Sequence, residues 1–478
     1  MAQNSHESLA DAPRFRMLVN GRLVAGPVSL EVTNPATGAP FAVCGSADSA
    51  LVNMAVGAAR AASLTWSKSS TSQRQQALSQ LAAVLSSNEE RFARLLTQEQ
   101  GKILQEAREE VAEAAAIFRG FASMEVRDRV IRDSPAERVV QDFYPLGVVV
   151  AITAWNFPLG IFATKVAPAI LAGNAVIVKP PPTTPLTSLL LAELSSSVLP
   201  PGVLNVIAGG SDVGELLVQH PDVDKVTFTG STATGQKVMA AASRSIKKIT
   251  LELGGNDAAI VLDDVELKSV ARRVFDGAML NAGQLCTAIK RVYVAESLYD
   301  SMCAELAQLA DERIVGDGLD SRSQMGPLQN AAQHERVLMY QQIAAKDGQI
   351  ISGGTALDRP GYFLRPTIVR DIADASRLVR EEQFGPVLPI LKYAHIDEAI
   401  RRANDSIYGL GATVWGADSQ RALEVAKRLN SGIVWINRHL DITIDVPVAG
   451  AKQSGIGVEF GEEGLLEFTQ RRVISQAR

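Results

Sequence analysis

The chain has 478 residues, of which 46% are hydrophobic and 21% are charged, and its formal net charge is −5. This composition is typical of a folded soluble protein and excludes a disordered chain. A slightly acidic balance gives no electrostatic reason to expect nucleic acid or an anionic membrane as a partner. Because the chain is too long for one simple core, two or three domains are expected.

Three cysteines in so long a chain cannot form a disulfide framework, so a cytoplasmic location is expected. No cluster of cysteine and histidine has metal-ligand spacing, and no metal site is predicted. The N-terminal stretch MAQNSHESLADAPRFRML lacks the apolar run of a signal peptide and predicts a short polar tail. The most apolar region, 145–180, contains Lys165, Pro and Gly, which argues against a membrane span. It predicts two buried parallel strands flanking a helix.

Residues 17–44 alternate like short strands, and residues 48–124 have the apolar spacing of helices. Residues 125–144 are charged and extended, which predicts an arm. Strands and helices then alternate: the predicted strands are VVVAIT, AVIVKP, VLNVIAG, KVTFTG, ITLELGG and DAAIVL, and the predicted helices are 160–172, 185–198, GELLVQH, 233–242 and 265–281. A second series runs from Cys286 to Asn437, and residues 440–478 are loop-rich and then extended. This order predicts an α/β protein with a doubly wound parallel sheet.

Two features of the first series indicate a dinucleotide site. The strand KVTFTG leads into a glycine turn, GSTATG (230–235), where the backbone could approach a pyrophosphate at a helix N-terminus. The spacing is neither GxGxxG nor that of a P-loop, so a simple tight turn is an equal alternative. Lys179 follows the strand AVIVK and could donate to a ribose hydroxyl or a 2′-phosphate. Its alternative role is that of an exposed lysine at a strand end.

Cys286 lies among small residues in the stretch NAGQLCTA. A thiol is a poor nucleophile until a base removes its proton. None of the five histidines is near it in the sequence; they are His6, His220, His334, His395 and His439. The stretch alone is therefore ambiguous between a reactive and a buried cysteine.

Seven motifs together resemble the aldehyde dehydrogenase superfamily over nearly the whole chain. Their order and spacing also match, including the 34 residues from Glu252 to Cys286. The motifs are TAWNFP (153–158), VKPPPTTP (178–185), FTGS (228–231), LELGG (251–255), GQLC (283–286), EEQFGPV (381–387) and GAKQSG (450–455).

The resemblance implies an aldehyde dehydrogenase that oxidises an aldehyde to its acid, and it assigns five catalytic positions. Cys286 would be the nucleophile, and Asn156 with the Cys286 backbone N–H would form the oxyanion hole. Glu252 would be the general base for deacylation. Lys165 would tune the charge near Glu252, and Glu459 would relay protons.

The implied cofactor is NAD, with NADP possible, and the implied substrate is a small-molecule aldehyde. Structural roles stay open as alternatives for Trp155, Phe384 and Gly209. The implied cofactor residues are Ile152, Thr153, Ala154, Trp155, Lys179, Pro182, Gly209, Phe228, Thr229, Gly230, Ser231, Gly235, Leu253, Glu382 and Phe384. The implied substrate residues are Phe157, Thr164, Ile442 and Val448.

This chain departs from the family pattern near both ligands. Pro182 stands where many NAD-preferring members have a glutamate that repels a 2′-phosphate, so both cofactors are expected to bind, with NAD favoured. Val448 replaces the phenylalanine of the usual PFGG motif, and Thr164 replaces a larger side chain. These changes predict a wider tunnel for a medium- or long-chain aliphatic or an aromatic aldehyde. Two alternatives are a semialdehyde dehydrogenase using Arg438 and a CoA-acylating enzyme, against which Glu252 argues.

The implied architecture is a doubly wound parallel-sheet cofactor domain, a second α/β catalytic domain and a small β oligomerisation flap. The cofactor domain would comprise residues 1–124 and 145–252, and the catalytic domain residues 253–438. Residues 125–144 and 439–478 would form the oligomerisation arm and the C-terminal segment. Since strands in such a flap have edges that need a partner, a homodimer or homotetramer is expected.

Overall fold

The computed structural model describes residues 12–478. Most of the predicted polar tail therefore lies outside the described residues. The end of that prediction is wrong, because Arg14–Phe15 and Met17–Val19 are strands, and the second of them is buried.

The described chain forms four helices from Ser49 to Ala122, as predicted, and from Val148 to Ile436 strands and helices largely alternate, also as predicted. The α-helices are α1 (Ser49–Trp66), α2 (Thr71–Ser87), α3 (Glu89–Gln100), α4 (Leu104–Ala122), α5 (Pro158–Leu171), α6 (Leu186–Leu194), α7 (Ser211–Gln219), α8 (Thr232–Ala242), α9 (Leu267–Met279), α10 (Tyr299–Glu312), α11 (Ala331–Asp347), α12 (Arg377–Arg380), α13 (Ile396–Asn404), α14 (Ser419–Ala426) and α15 (Gly461–Leu466).

The strands belong to two large and three small sheets. They are β1 (Arg14–Phe15), β2 (Met17–Val19), β3 (Arg22–Val24), β4 (Val28–Asn34), β5 (Ala39–Ser46), β6 (Arg129–Asp133), β7 (Glu137–Pro145), β8 (Val148–Ile152), β9 (Ala175–Lys179), β10 (Leu204–Val206), β11 (Lys225–Thr229), β12 (Lys248–Glu252), β13 (Asp257–Val261), β14 (Ile289–Ala295), β15 (Gln349–Ser352), β16 (Thr367–Arg370), β17 (Val387–Tyr393), β18 (Tyr408–Gly409), β19 (Gly411–Trp415), β20 (Ile433–Ile436), β21 (Ala451–Lys452), β22 (Gly455–Ile456) and β23 (Thr469–Ala477).

The first large sheet has the strand order β22-β12-β11-β8-β9-β10-β2-β3. Its five central strands, from β12 to β10, are parallel. The chain winds outwards in both directions from β8, so the order reverses between β8 and β11. In such sheets a ligand crevice forms at the carboxyl ends of the strands flanking this switch point. The predicted doubly wound parallel sheet is confirmed.

The apolar region 145–180 forms the centre of this sheet. Strands β8 and β9 are buried along their whole length and pair in parallel. Helix α5 between them is buried as well. A strand covered on both faces needs a continuous apolar run rather than alternation, which is why VVVAI and AVIVK are so uniform. The prediction of two buried parallel strands flanking a helix is confirmed.

The second large sheet has the order β15-β16-β17-β14-β13-β19-β20, with all neighbours parallel except β15 and β16. Its buried residues form a hydrophobic cluster drawn from 258–429, whereas the first sheet shares a cluster drawn from 17–253 with Leu465 and Phe468. The exact domain boundaries given above stay a prediction.

A three-stranded antiparallel sheet joins the predicted arm to the C-terminal strand. Strand β23 pairs with β7 from Thr469–Pro145 to Ala477–Glu137, and β6 lies on the other side of β7. Strand β6 is exposed throughout. Within residues 12–478, no helix is both long and apolar enough to cross a membrane.

Three predicted boundaries are wrong. Helix α6 ends at Leu194 rather than residue 198, and β10 covers only Leu204–Val206. Helix α9 ends at Met279, because Asn281 and Ala282 have positive φ angles that an α-helix cannot contain.

Candidate active site

A cavity of about 760 Å³ lies at the switch point of the first sheet. Residues from the ends of β8, β9 and β11 line it on one side, and residues from the second half of the chain line it on the other. Fifteen of the predicted site residues form its wall: Ile152, Thr153, Ala154, Trp155, Asn156, Lys179, Pro182, Phe228, Thr229, Gly230, Ser231, Leu253, Cys286, Glu382 and Phe384.

The loop that carries Cys286 begins with three residues in the left-handed region. Their φ angles are 51° for Asn281, 55° for Ala282 and 72° for Gly283. Such backbone is costly for Asn and Ala and persists only where the surroundings hold it. A Cβ on Gly283 would lie 2.5 Å from the Gly385 carbonyl oxygen, so this position requires glycine. The turn redirects the chain from α9 into the cavity wall.

Asn156 is hydrogen-bonded to this loop. Its Nδ2 donates to the Gln284 carbonyl at 3.2 Å, and its own carbonyl accepts from Asn281 Nδ2 at 3.1 Å. The side chain is 5% exposed and lines the cavity together with Cys286. One amide hydrogen remains free to donate to an oxyanion. The structure therefore brings the predicted nucleophile and oxyanion donor together.

A buried ion pair fixes Asn156 and helix α5 from behind. Lys102 Nζ lies 2.6 Å from Glu110 and donates to the Asn156 carbonyl at 3.0 Å. The other Glu110 oxygen accepts from the backbone N–H groups of Leu159 and Gly160, at 2.9 and 3.2 Å. A carboxylate at a helix N-terminus satisfies free donors and opposes the positive end of the helix dipole. Sequence reasoning missed this pair because its burial depends on the long-range contacts with Asn156 and Leu159.

The Cys286 thiol needs a base in this environment. Burial, together with the carboxylates of Glu382, Asp257 and Glu252, raises its pKa to about 12, while Lys290 opposes this shift. The thiol is therefore protonated near neutral pH, and a thiolate forms only as a proton is removed.

Glu252 is the predicted base. It ends β12, is 8% exposed, and its Oε1 makes no hydrogen bond within the described part of the chain. Burial raises its pKa well above the usual range, and the charge of Glu459 raises it further, whereas Lys165 lowers it. A carboxyl with a raised pKa is suited to proton transfer near neutrality.

Lys165 and Glu459 form an ion pair beside Glu252. Lys165 Nζ lies 2.7 Å from Glu459 Oε1 and donates to Thr227 Oγ1 at 3.0 Å. Glu459 and Val448 exchange two backbone hydrogen bonds of 2.8 Å. These contacts place a predicted substrate residue next to the predicted proton relay. Glu252, Lys165 and Glu459 do not themselves line the cavity.

The other predicted substrate residues also lie outside the cavity wall. Thr164 is buried on α5 and donates to the Gly160 carbonyl at 3.0 Å. The Phe157 ring is covered by the Lys102 ammonium, 3.6 Å from its centroid. Ile442 is half-buried in the loop after β20. Their contact with an aldehyde stays a prediction.

The opposite end of the cavity has features that suit a dinucleotide. Helix α8 begins there, with Ser231 as its N-cap accepting from the Thr234 N–H at 3.3 Å. Thr153 and Thr229 each carry a buried hydroxyl that has no partner in residues 12–478. Helix N-termini favour phosphate, and unpartnered buried hydroxyls favour a polar ligand.

Lys179 ends β9 and is only 5% exposed, so the alternative of an exposed lysine is wrong. Burial lowers its pKa to about 8, and Asp212 partly opposes this shift. Its Nζ donates to the Pro180 carbonyl at 3.2 Å and keeps two further hydrogens for a ligand.

Glu382 and Phe384 close the cavity from the second half of the chain. Glu382 Oε1 accepts from the Gly255 N–H at 2.9 Å, and burial raises its pKa. Phe384 packs edge-to-face on Trp155, with ring centroids 5.3 Å apart. Phe384 has a φ of 51°, and Gln333 Nε2 donates to its carbonyl at 2.8 Å. Both aromatic rings therefore line the cavity and pack against each other.

Two predicted cofactor residues do not reach the cavity wall. A Cβ on Gly209 would lie 2.4 Å from Val213 Cγ2, and a Cβ on Gly235 would lie 2.4 Å from Leu253 Cδ2. Both positions require a small residue because neighbouring elements pack closely there. Their contact with the cofactor stays a prediction.

Sequence reasoning missed one face each of α7 and α8. Their cavity residues follow the spacing i, i+3, i+4, i+7 from Ser211 and from Thr234, a spacing that places them on one helix face. The spacing alone could have identified these residues once α7 and α8 were assigned to the switch point of the sheet. The missed cavity residues are Pro181, Ser211, Gly214, Glu215, Val218, Thr234, Lys237, Val238, Ala241, Gly254, Gln333 and Arg336.

One histidine does approach the nucleophile loop in space. The His439 ring packs edge-to-face on Trp435, with centroids 4.9 Å apart, and approaches the backbone of Thr287. Burial lowers its pKa to about 4, so the imidazole is neutral near pH 7. Because its nitrogens make no hydrogen bond within the described residues, it serves packing rather than thiol activation.

The strand order and the cavity at its switch point define an α/β protein of the dinucleotide-binding type. The chain belongs to the aldehyde dehydrogenase family, whose family model matches residues 25–474. It is 39% identical to the mitochondrial aldehyde dehydrogenase of Leishmania tarentolae, over 96% of this chain and 94% of that protein. It is 38% identical to the phenylacetaldehyde dehydrogenase of Pseudomonas fluorescens, over 99% of this chain and 98% of that protein. The NAD+ complex of an aldehyde dehydrogenase from Bacillus cereus superposes on this structure with a TM-score of 0.95 at 34% identity. The superposition covers 100% of this chain and 99% of that chain.

Proposed function

We propose that this protein oxidises an aldehyde to a carboxylic acid with NAD(P), through a covalent intermediate on Cys286. The observation that carries the proposal is the shared cavity wall of Cys286 and Asn156, at one end of a space that suits a dinucleotide. Glu252, with its raised pKa, supplies the base that a protonated thiol requires.

The residues divide the chemistry as follows. As Glu252 removes the thiol proton, Cys286 Sγ bonds to the aldehyde carbon, and the carbonyl oxygen gains the negative charge. The Asn156 amide and the Cys286 N–H stabilise that oxyanion. Bound NAD(P) supplies the hydride acceptor that turns the adduct into a thioester. Glu252 next releases the thiol proton to solvent and, ionised again, deprotonates a water whose oxygen bonds to the acyl carbon. The carbon–sulfur bond then breaks, and the thiolate takes the water proton from Glu252, which gives the acid and the free thiol.

Lys179, Glu382 and the N-terminus of α8 would hold the cofactor. Pro182 lines the cavity with no charge to repel a 2′-phosphate, so NADP is accepted beside NAD. The relative from Bacillus cereus is an NAD+ complex, which supports NAD as the favoured cofactor.

The proposed substrate is a medium- or long-chain aliphatic or an aromatic aldehyde. Small side chains at Val448 and Thr164 support it, as does the similarity to a phenylacetaldehyde dehydrogenase. Arg438 is bonded to Asp441 at the surface, with 64% of its side chain exposed, which favours an ion-pair role over recognition of a semialdehyde. The presence of Glu252 favours hydrolysis of the thioester over transfer of its acyl group to CoA.

The proposed assembly is a homodimer or homotetramer formed through the β6–β7–β23 sheet. Val130, Ile131, Val473 and Ile474 on this sheet are about half exposed, which supports burial against a second copy. A cytoplasmic location is proposed because all three cysteines have free thiols.

The proposal is tested by following absorbance at 340 nm with about twenty aldehydes and either cofactor. Hexanal, octanal, benzaldehyde and phenylacetaldehyde should give higher kcat/KM than acetaldehyde or succinic semialdehyde. Chromatography should identify the carboxylic acid with and without added CoA. Absence of reduction with every aldehyde, or formation of acyl-CoA in place of acid, contradicts the proposed reaction.

A further inference from the structure

Lys290 is a buried cation beneath the nucleophile loop. It is the second residue of β14 and is 2% exposed. Its Nζ donates to the Cys286 carbonyl at 2.6 Å and to the Leu285 carbonyl at 2.8 Å. The same nitrogen lies 3.7 Å from Glu382 Oε1. One side chain thus contacts both the nucleophile loop and the carboxylate that closes the cofactor cavity.

The charges around Cys286 indicate that the contact of Lys290 with the loop matters for ionisation of the thiol. The carboxylates of Glu382, Asp257 and Glu252 all oppose a thiolate there, and the Lys290 ammonium favours it. Asp257 is 2% exposed, and neither of its carboxylate oxygens makes a hydrogen bond within residues 12–478. The nearby His439 is neutral near pH 7 and adds no positive charge.

We propose that Lys290 is a positioning residue that holds the Cys286 loop, favours thiolate formation and couples the thiol to the cofactor site through Glu382. The proposal rests on Cys286 being the nucleophile. Its physical basis is that a buried charge–charge contact is screened less than one in water, so the ammonium interacts more strongly with its neighbours there. Removing it takes a donor from the Cys286 and Leu285 carbonyls and a counter-charge from Glu382 and Asp257.

The test compares Lys290→Met and Lys290→Arg with a matched control, Lys225→Met. Lys225 is also buried, donates to Thr250 Oγ1 at 2.6 Å and pairs with Glu467 at 3.5 Å. Unlike Lys290, it donates to no residue of the Cys286 loop within residues 12–478. Each variant is first shown to melt cooperatively, so that only folded protein is compared.

The first readout is alkylation of Cys286 by iodoacetamide between pH 7 and 9.5 without cofactor, followed by peptide mass spectrometry. A rise of one unit in the thiol pKa lowers the thiolate fraction about tenfold. Lys290→Met should therefore react at least about tenfold more slowly at each pH. Lys290→Arg should recover most of the rate, and Lys225→Met should match the wild type. A folded Lys290→Met protein with the wild-type profile overturns the proposal.

The second readout distinguishes coupling between the thiol and the cofactor site from an effect of Lys290 on the thiol alone. Glu382→Gln removes a carboxylate beside the ammonium, so alkylation should become faster, the opposite of Lys290→Met. The effects of the two substitutions on KM for NAD should be non-additive, because the residues share one contact. If Lys290→Met does not fold, an unchanged or slower alkylation of Glu382→Gln overturns the proposal. Failure of the proposed function is seen separately, as turnover that survives Cys286→Ala.

Discussion

Lys165 Nζ lies 2.7 Å from Glu459 Oε1, and both groups act on the carboxyl of Glu252. Lys165 is fully buried on α5, whereas Glu459 comes from the C-terminal segment, where its backbone pairs with Val448. The ion pair therefore joins the two chain segments and adjusts the proton affinity of the proposed base, which burial raises most. Glu459 raises the pKa of Glu252, and Lys165 lowers it.

The first prediction concerns the acid side of the pH–kcat profile. Glu252 acts as a base only when ionised, so turnover falls as the pH drops through its raised pKa. Glu459→Gln removes the negative charge that raises this pKa, and turnover should persist to lower pH. Lys165→Met removes the charge that lowers it, and turnover should be lost at higher pH. Steady-state kinetics from pH 5.5 to 9 check this, and displacement of both profiles in the same direction contradicts it.

The second prediction concerns the nucleophile. Cys286→Ala should lower kcat at least about a thousandfold, since a residue that forms the covalent bond has no substitute nearby. NAD affinity, measured by fluorescence quenching or calorimetry, should change less than about threefold. Cys303→Ala is the matched control because Cys303 is buried on α10, and it should keep its turnover. Appreciable turnover in Cys286→Ala would overturn the assignment.

The parts of the fold that follow from local patterns were predictable. Strands β8 and β9 are continuous apolar runs because they are covered on both faces, and this pattern is visible in the sequence. Motif spacing likewise pointed to Cys286 and Asn156, which the structure places on one cavity wall.

The parts that depend on tertiary contacts were not predictable. The helix predicted to residue 281 ends at Met279, and the left-handed turn that follows begins at Asn281. Its glycine at 283 is required by the approach of the Gly385 carbonyl, a contact that no local pattern shows. The contact of Lys102 with the Asn156 carbonyl and that of Lys290 with Glu382 each join elements far apart in the chain. No local pattern distinguishes such residues from ordinary exposed lysines and glutamates.

The third prediction tests the left-handed turn before the nucleophile. Gly283→Ala introduces a Cβ at 2.5 Å from a backbone oxygen and at a φ of 72°, and a left-handed Ala alone costs roughly 1–2 kcal/mol. The variant should melt earlier and lose at least about tenfold in kcat, because the loop that carries Cys286 must shift. Gly57→Ala is the control: no atom lies within 4 Å of its Cβ position on α1, so melting should be unchanged or slightly later. Equal behaviour of the two variants would contradict the role of the turn.

The fourth prediction concerns the assembly. Val473→Glu or Ile131→Glu places a charge on the exposed apolar face of the β6–β7–β23 sheet, where it would have to be buried against a second copy. Light scattering after size exclusion should show a smaller species than the wild type. Ile246→Glu serves as the control, since Ile246 is 92% exposed and lies outside this sheet. An unchanged mass for all three variants would place the interface elsewhere.

The last prediction concerns the choice of cofactor. Pro182 lines the cavity near the end of β9, and Lys179 beside it is buried with its Nζ donating to the Pro180 carbonyl. Pro182→Glu would place a carboxylate where a 2′-phosphate binds, and like charges about 4 Å apart repel by several kcal/mol at intermediate dielectric. The value of kcat/KM with NADP should therefore fall about a hundredfold or more, while the value with NAD stays within about threefold. Pro182→Ala keeps the site uncharged and should retain both cofactors. If wild-type kcat/KM with NADP is already more than about a thousandfold below that with NAD, an element other than residue 182 excludes the phosphate.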